Sequence, residues 1–318
     1  MATCRIQRLC RRRRQRVLGA LRTLLLGVGL LMSSVVTTSA ASEQQGVMYQ
    51  PLNRDSELGA YGWHYLFQQL RNDGIDFGVL QWTQYGDEDF SAGQPWLRDS
   101  ITVWQNYMPL WLGLHLEDDY FTEMSKGLAA QQTFFTTYLR KVNASVARWE
   151  AWRQQHSAQF LGWYIPLELS DAYFDTPAKR QQLATFLTQL RERIGTTPLA
   201  ISVFMSATLP AAEFGAWLED IQQLGYHVWL QDGVGTQALS AAQRADYFAA
   251  LNCDVVMINE AFVQTSKQPF AARSASAEEL AAATSTSCHR RIWFSLRYLP
   301  QAVGLLYLSD VTRQLPAP

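Results

Sequence analysis

The sequence predicts an α/β protein built as a (β/α)8 barrel of the TIM type, in a single domain behind an N-terminal signal segment. Three observations predict it. Short β-rich runs alternate with longer helical stretches from Gly46 onward, which is the pattern of βα units around a parallel sheet. Eight such runs fit within residues 42–318, the count and size of this barrel. The first run is followed by Gln50-Pro51-Leu52-Asn53, which lacks the Gly-rich phosphate turn that a doubly wound nucleotide fold needs there.

The runs read in order as follows. The first is Gly46 to Gln50, and a helix around Trp63 to Arg71 separates it from the second, Phe77 to Trp82. Pro109 to Leu114 is the third and Phe160 to Ile165 the fourth, which ends at Pro166-Leu167-Glu168. Between them Asp119 to Gln155 is helical, and the turn-forming Asn143 suggests two helices. Before the fifth run, Leu199 to Phe204, the residues Leu183, Phe186, Leu187, Leu190 and Ile194 recur at helical spacing, with Pro177 opening that helix and Gly195 closing it. Phe214, Trp217, Leu218 and Ile221 form the next helix, followed by the sixth run, Tyr226 to Gln231, and the turn Asp232-Gly233-Val234-Gly235. Asp254 to Glu260 is the seventh run and Arg291 to Ser295 the eighth; Leu305, Leu308 and Val311 predict a last amphipathic helix. No linker or repeat divides this body.

Ahead of the barrel, residues 1–41 read as a secretory signal. Eight arginines (Arg5, Arg8, Arg11, Arg12, Arg13, Arg14, Arg16 and Arg22) precede an apolar run from Leu24 to Met32 and small residues through Ala40-Ala41. The run is short for a membrane span, which needs about 20 apolar residues, although an uncleaved anchor is the alternative reading. The body is therefore expected in the bacterial periplasm or outside the cell, without stable membrane insertion once the signal is removed. Setting those eight arginines aside leaves 19 basic residues against 28 acidic ones, a net charge of −9. With no basic stripe after Arg22, nucleic acid is not an expected partner.

Export leaves Cys253 and Cys288 in the body, each just before one of the last two strands. Those strands are neighbours in a barrel, so both thiols should meet at its lower face, either bridged or as two buried thiols. The five histidines, His64, His115, His156, His227 and His289, share no ligand spacing, so no metal is expected. No organic cofactor is expected either.

In such a barrel chemistry sits where strands end, at their C-terminal face. Glu168 ends the fourth run and Glu260, preceded by Asn259, ends the seventh; a glutamate at an apolar strand end costs desolvation energy unless it has partners or a task. Two of them could converge over the mouth, as glycoside hydrolysis requires. Gln81 with Trp82 ends the second run and Gln231 with Asp232 the sixth, so these, with Asn259, are candidate contacts to sugar hydroxyls. Asp232-Gly233 is also ordinary turn chemistry. Trp163, Tyr164 and Trp293 are candidate platforms for sugar rings, whereas Trp149 and Trp217 lie on helices and are expected to pack.

At these residues the sequence resembles the glycosidase-like TIM-barrel family named domain of unknown function 4434. The resemblance rests on Gly78-Val79-Leu80-Gln81-Trp82 with Tyr85-Gly86, on Gly162 to Glu168, on Ile201-Ser202-Val203-Phe204, on Gln231 to Gly235 and on Asn259-Glu260. The family resembles the large clan of retaining glycosidases whose acid/base glutamate ends strand four and whose nucleophile ends strand seven. Carried over by strand, Glu168 takes the first role and Glu260 the second. That clan has Asn before its acid/base glutamate, where this chain has Leu167. With the signal segment, the resemblance implies an exported hydrolase acting on an oligo- or polysaccharide, a bacterial polysaccharide or surface glycan, by a retaining two-glutamate mechanism, with a non-catalytic glycan-binding barrel as the alternative. A carboxylate-metal hydrolase using Glu117, Asp118 or Asp232 ranks last, for want of a ligand spacing.

Overall fold

The computed structural model describes residues 44–90, 95–283 and 288–306, so the expected signal segment lies outside the described residues. Eight parallel strands close a barrel: β1 (Gln45–Tyr49), β2 (Ile75–Leu80), β3 (Leu110–Gly113), β4 (Phe160–Ser170), β5 (Leu199–Phe204), β6 (His227–Gln231), β7 (Val256–Glu260) and β8 (Arg291–Phe294). Each strand pairs with its neighbour in sequence, and β8 returns to pair with β1. The eight predicted runs are these strands, shifted at their ends by up to two residues at most positions. The fourth is longer than expected.

Strand alternation divides the core in two. Met48, Val79, Tyr164, Ala200, Trp229, Ile258 and Ile292 point inward and fill the barrel, Trp229 stacking on Tyr164 at 4.9 Å. Their strand neighbours, among them Val47, Leu80, Leu112, Trp163, Ile201 and Leu230, point outward against the helices. The helices are α1 (Gly59–Asn72), α2 (Trp96–Trp104), α3 (Tyr120–Ser125), α4 (Leu128–Gln155), α5 (Pro177–Ile194), α6 (Ala211–Gln223), α7 (Ala241–Ala249) and α8 (Ala277–Ala283). In α5, Thr176 caps the first turn by accepting from the Lys179 N–H, and Leu183, Phe186, Leu187 and Leu190 are its buried stripe. Trp149 and Trp217 are buried on α4 and α6.

Three elements differ from the sequence reading. The long helical stretch breaks at Gly127, not at Asn143: Gly127 holds φ 93°, a left-handed conformation that glycine adopts without a Cβ penalty, while Asn143 continues α4. After β8 the described chain makes two 3-10 turns, Leu296–Tyr298 and Pro300–Ala302, and Leu305 lies in a turn, so the predicted last helix is absent through Leu306; Leu308 and Val311 lie outside the described residues. Between β7 and β8 an antiparallel hairpin, Phe262–Lys267 with Phe270–Ser274, rises beside the barrel mouth. Among the described residues no helix is long and apolar enough to cross a membrane.

Two devices fasten the seam. At the mouth, the buried Arg297 donates to Asp55 Oδ2 at 2.9 Å and to the Gln50 carbonyl at 3.0 Å, while Tyr49 Oη donates to the same Asp55 oxygen at 2.7 Å. At the lower face Cys253 and Cys288 are joined as a disulfide, with Cα atoms 5.4 Å apart. This bridge ties together the entries of β7 and β8 across a separation of 35 residues, a constraint worth about 4 kcal/mol on the chain-entropy account. Replacing both cysteines by alanine is expected to lower the melting temperature by several degrees while leaving the barrel fold intact. Thermal melts with and without reductant, alongside calorimetry, check this.

Candidate active site

The C-terminal ends of the strands open into one trough. Its larger part has a volume of about 660 Å³, within the range of roughly 300–1,000 Å³ usual for small-molecule sites. Glu168, Gln231, Thr236 and Glu260 line this part and also the narrower part that continues toward Gln50, Gln81, Trp82 and Tyr85. The glutamates of strands four and seven therefore face the same space.

Each arrives there by a different local device. Along β4 and β5 the pairing runs Ile165 with Ile201 and then Glu168 with Ser202, so Pro166 and Leu167 are extra residues in a bulge. A bulge tolerates proline, which cannot donate to the ladder, and it carries the Glu168 carboxyl up to the mouth. Burial pushes the Glu168 pKa up, with a hydrogen bond from the Gln231 side chain opposing it. Leu167 turns outward into the helix-facing core, which is why the position before this glutamate is apolar.

Glu260 is held from the turn after β6. Thr236 N–H donates to its Oε2 at 2.8 Å, and the Gly235 amide also bonds the carboxylate. Gly235 lies so close that a Cβ there would meet the Phe262 carbonyl oxygen at 2.2 Å and Glu260 Oε2 at 3.0 Å. That turn is itself pinned by Asp232, whose Oδ1 accepts from Val234 N–H at 3.0 Å and Glu260 N–H at 3.3 Å, and whose Oδ2 accepts from Asn259 Nδ2 at 2.8 Å. Burial first, and the Asp232 charge second, push the Glu260 pKa up; the amides of Thr236 and Gly235 pull the other way.

Among the expected substrate contacts, Gln81, Trp82 and Gln231 line the trough. Gln81 is buried, and its Oε1 has no hydrogen-bond partner among the described residues. The others are elsewhere. Asp232 and Asn259 are buried beside the trough and bonded to each other, so they position the Glu260 loop instead of presenting groups to a sugar. Tyr164 lies inside the barrel below the mouth, its hydroxyl 2.7 Å from Ser202 Oγ. Trp163 and Trp293 point outward to the helix layer, and Trp293 Nε1 donates to Gln45 Oε1 at the opposite end of β1. The residue that β8 turns inward to line the trough is Phe294. Sequence reasoning also missed the aromatic wall of Phe121, Phe204, Phe262, Phe270 and Tyr298, because loops and the unforeseen hairpin supply most of it.

Metal ligation has one geometric candidate among the described residues, the carboxylates of Glu117, Asp118 and Asp119. Glu117 is already engaged by Lys141 at 2.6 Å and His115 Nε2 at 3.2 Å, and Asp118 and Asp119 are exposed. Asp232 is not one of the group.

The family model for domain of unknown function 4434 matches residues 45–301. The chain belongs to this family. The Escherichia coli K12 "Uncharacterized protein YbcH" is 30% identical over 291 residues, covering 87% of this chain and 97% of that protein. Among solved structures, a "putative alpha-L-fucosidase" from Bacteroides thetaiotaomicron aligns with a TM-score of 0.57 at 16% identity, over 86% of this chain and 92% of that one. A β-galactosidase from Marinomonas ef1 aligns with a TM-score of 0.50 at 10% identity, over 79% of this chain and 54% of that one. These likenesses are likenesses of fold, the TIM barrel of glycosidase-like proteins.

Holding a proton on buried carboxyls has a stability signature. With folded-state pKa values raised, Glu168 and Glu260 bind more protons in the native than in the unfolded state at pH values above the ordinary glutamate range, so their contribution to stability falls as pH rises. Glu168→Gln and Glu260→Gln are each expected to melt higher than the parent at pH 8 and no higher at pH 4. Thermal melts at the two pH values check the sign.

Proposed function

We propose that this protein is an exported glycoside hydrolase acting on a bacterial polysaccharide or surface glycan by a retaining mechanism. Glu168 serves as acid/base and Glu260 as nucleophile. The observation that carries the reading is the meeting of two desolvated glutamates, from strands four and seven, in one aromatic-walled trough at the catalytic face of the barrel. The names of the fold neighbours, a fucosidase and a galactosidase, point the same way.

The two environments suit two roles. Glu168 is half-buried, and its desolvation, opposed by the hydrogen bond from Gln231, favours the protonated acid that a leaving group needs. Glu260 accepts from backbone amides that strengthen its ionised form, and those amides aim Oε2 while the other oxygen attacks. In the first step Glu260 bonds to the anomeric carbon as the glycosidic C–O bond breaks, and the Glu168 proton passes to the leaving oxygen. In the second, water gives its proton to Glu168 and its oxygen to the anomeric carbon, releasing Glu260. Gln81 and Gln231 would bond hydroxyls of the bound sugar, and Trp82 with the aromatic wall would pack on its apolar faces. No metal or organic cofactor takes part in these steps.

One observation favours a second reading, a glycan-binding barrel without turnover: the Asp232 charge beside Glu260 opposes the ionisation a nucleophile needs. Kinetics separate the two. For the hydrolase, kcat/KM rises with pH along an acid limb displaced above the ordinary carboxylate range, because Glu260 must ionise. Glu168→Gln lowers kcat by about 10²–10⁴-fold, and Glu260→Gln loses turnover, both with glycan binding retained. Oligosaccharide affinity with no product from the parent protein would establish the binder, and an unchanged rate in Glu260→Gln would remove the nucleophile assignment.

A further inference from the structure

The trough has two ends of opposite charge. Where it passes under the loop after β3, Glu117 and Asp118 line it. Lys141 and His115 engage Glu117, while Asp118 has no ion pair among the described residues. At the other end, below α7 and the hairpin that follows β7, the lining residues include Arg244, Gln264, Lys267 and Gln268.

These two cations are available. Arg244 is half-buried and oriented, its Nη1 donating to the Leu239 carbonyl at 2.6 Å, yet no carboxylate lies within ion-pair reach among the described residues. The Arg244 charge reaches Asp232 through space, but the Asp232 oxygens are taken by Asn259, Val234 and Glu260. Lys267 stands exposed at the end of the hairpin's first strand, opposite Phe270. The hairpin's other cation, Arg273, is neutralised by Glu279 at 2.8 Å and does not line the trough. Beyond residue 41 the chain carries a net charge of −9, so an unpaired cationic end in its cleft is not a general property of the surface.

A neutral polysaccharide gives no reason to hold a guanidinium there without a partner. A planar, five-donor guanidinium matches a carboxylate bidentately, and a flexible ammonium beside it adds charge without fixing geometry. We propose that the Arg244–Lys267 end of the trough is a subsite for an acidic sugar, with Arg244 binding the carboxylate of a uronic acid residue and Lys267 reinforcing it from the hairpin. The inference rests on the glycosidase reading and narrows its substrate class to acidic polysaccharides. The Asp118 end, being negative, orients the chain so that its acidic residue lies toward the hairpin.

The test uses the full chain carrying Glu260→Gln, and three tetrasaccharide probes: oligogalacturonate, oligomannuronate and a glucuronate-containing hyaluronan fragment, each beside its carboxyl-reduced, neutral counterpart. Calorimetry is expected to show at least one acidic probe binding more tightly than its neutral partner. Adding Arg244→Gln should weaken that probe by about 10- to 100-fold and leave the neutral partner unchanged, and Lys267→Gln, at an exposed position, should weaken it less. Equal affinity for acidic and neutral partners, or an acidic affinity unmoved by both substitutions, overturns the subsite. In that case hydrolysis of a neutral probe by the parent protein leaves the glycosidase reading standing, whereas absence of both binding and cleavage across all six probes overturns the subsite and counts against the glycosidase reading as well.

Discussion

Alternation along parallel strands is the constraint on which the rest of this structure depends. Closing eight strands into a ring gives every strand an inner and an outer face, and successive residues must take opposite ones. Inner positions low in the barrel are filled by bulky side chains such as Trp229 and Tyr164, which stack and leave no pore. Of each strand only the last inner residues reach the trough, and these few positions form its floor, to which the loops and the hairpin add the walls. Glu168, Gln231, Glu260 and Phe294 are four of them.

Burying carboxyls at these positions is costly, and the surrounding backbone is arranged to bear that cost. Asp232 organises the loop after β6 by accepting from two backbone amides and one side-chain amide, and that loop in turn presents the Gly235 and Thr236 amides to Glu260. The close approach that makes Gly235 necessary is the same one that fixes the Glu260 oxygen. At Glu168 the device is different: a proline-containing bulge lifts the side chain, and Gln231 reaches it from a strand two places away. Both arrangements hold a carboxyl where solvation is reduced and its protonation is set by the surrounding groups.

Much of this was legible in the sequence, for physical reasons that also mark where the legibility ends. The strands were readable because each is a short apolar run between amphipathic helices, and the strand-end glutamates stood out as charges at the end of apolar stretches. What periodicity does not supply is the face on which a run ends. Trp293 and Phe294 are adjacent and similar in character, and a one-residue change of register exchanges the trough for the helix layer. The same holds for Trp163. Asp232 illustrates another limit: Asp-Gly reads equally as turn chemistry or as a site residue, and here it is a turn that positions the site. The hairpin after β7 is mostly half-buried and anchors on Phe262 and Phe270, but two aromatics among polar residues make too short an apolar pattern to distinguish the run 262–274 from a loop.

The direct test of the account is covalent. A panel of activated 2-deoxy-2-fluoro glycosides, whose fluorine slows the second step more than the first, traps the glycosyl-enzyme of a retaining glycosidase, and peptide mapping by mass spectrometry locates the sugar. The account predicts a single adduct on Glu260 that still forms when Glu168 is replaced by glutamine, because an activated leaving group departs without a proton, and that is then hydrolysed more slowly for want of the base. Hydrolysis of a glycan with inversion at the anomeric carbon, or an adduct on any residue other than Glu260, would contradict it.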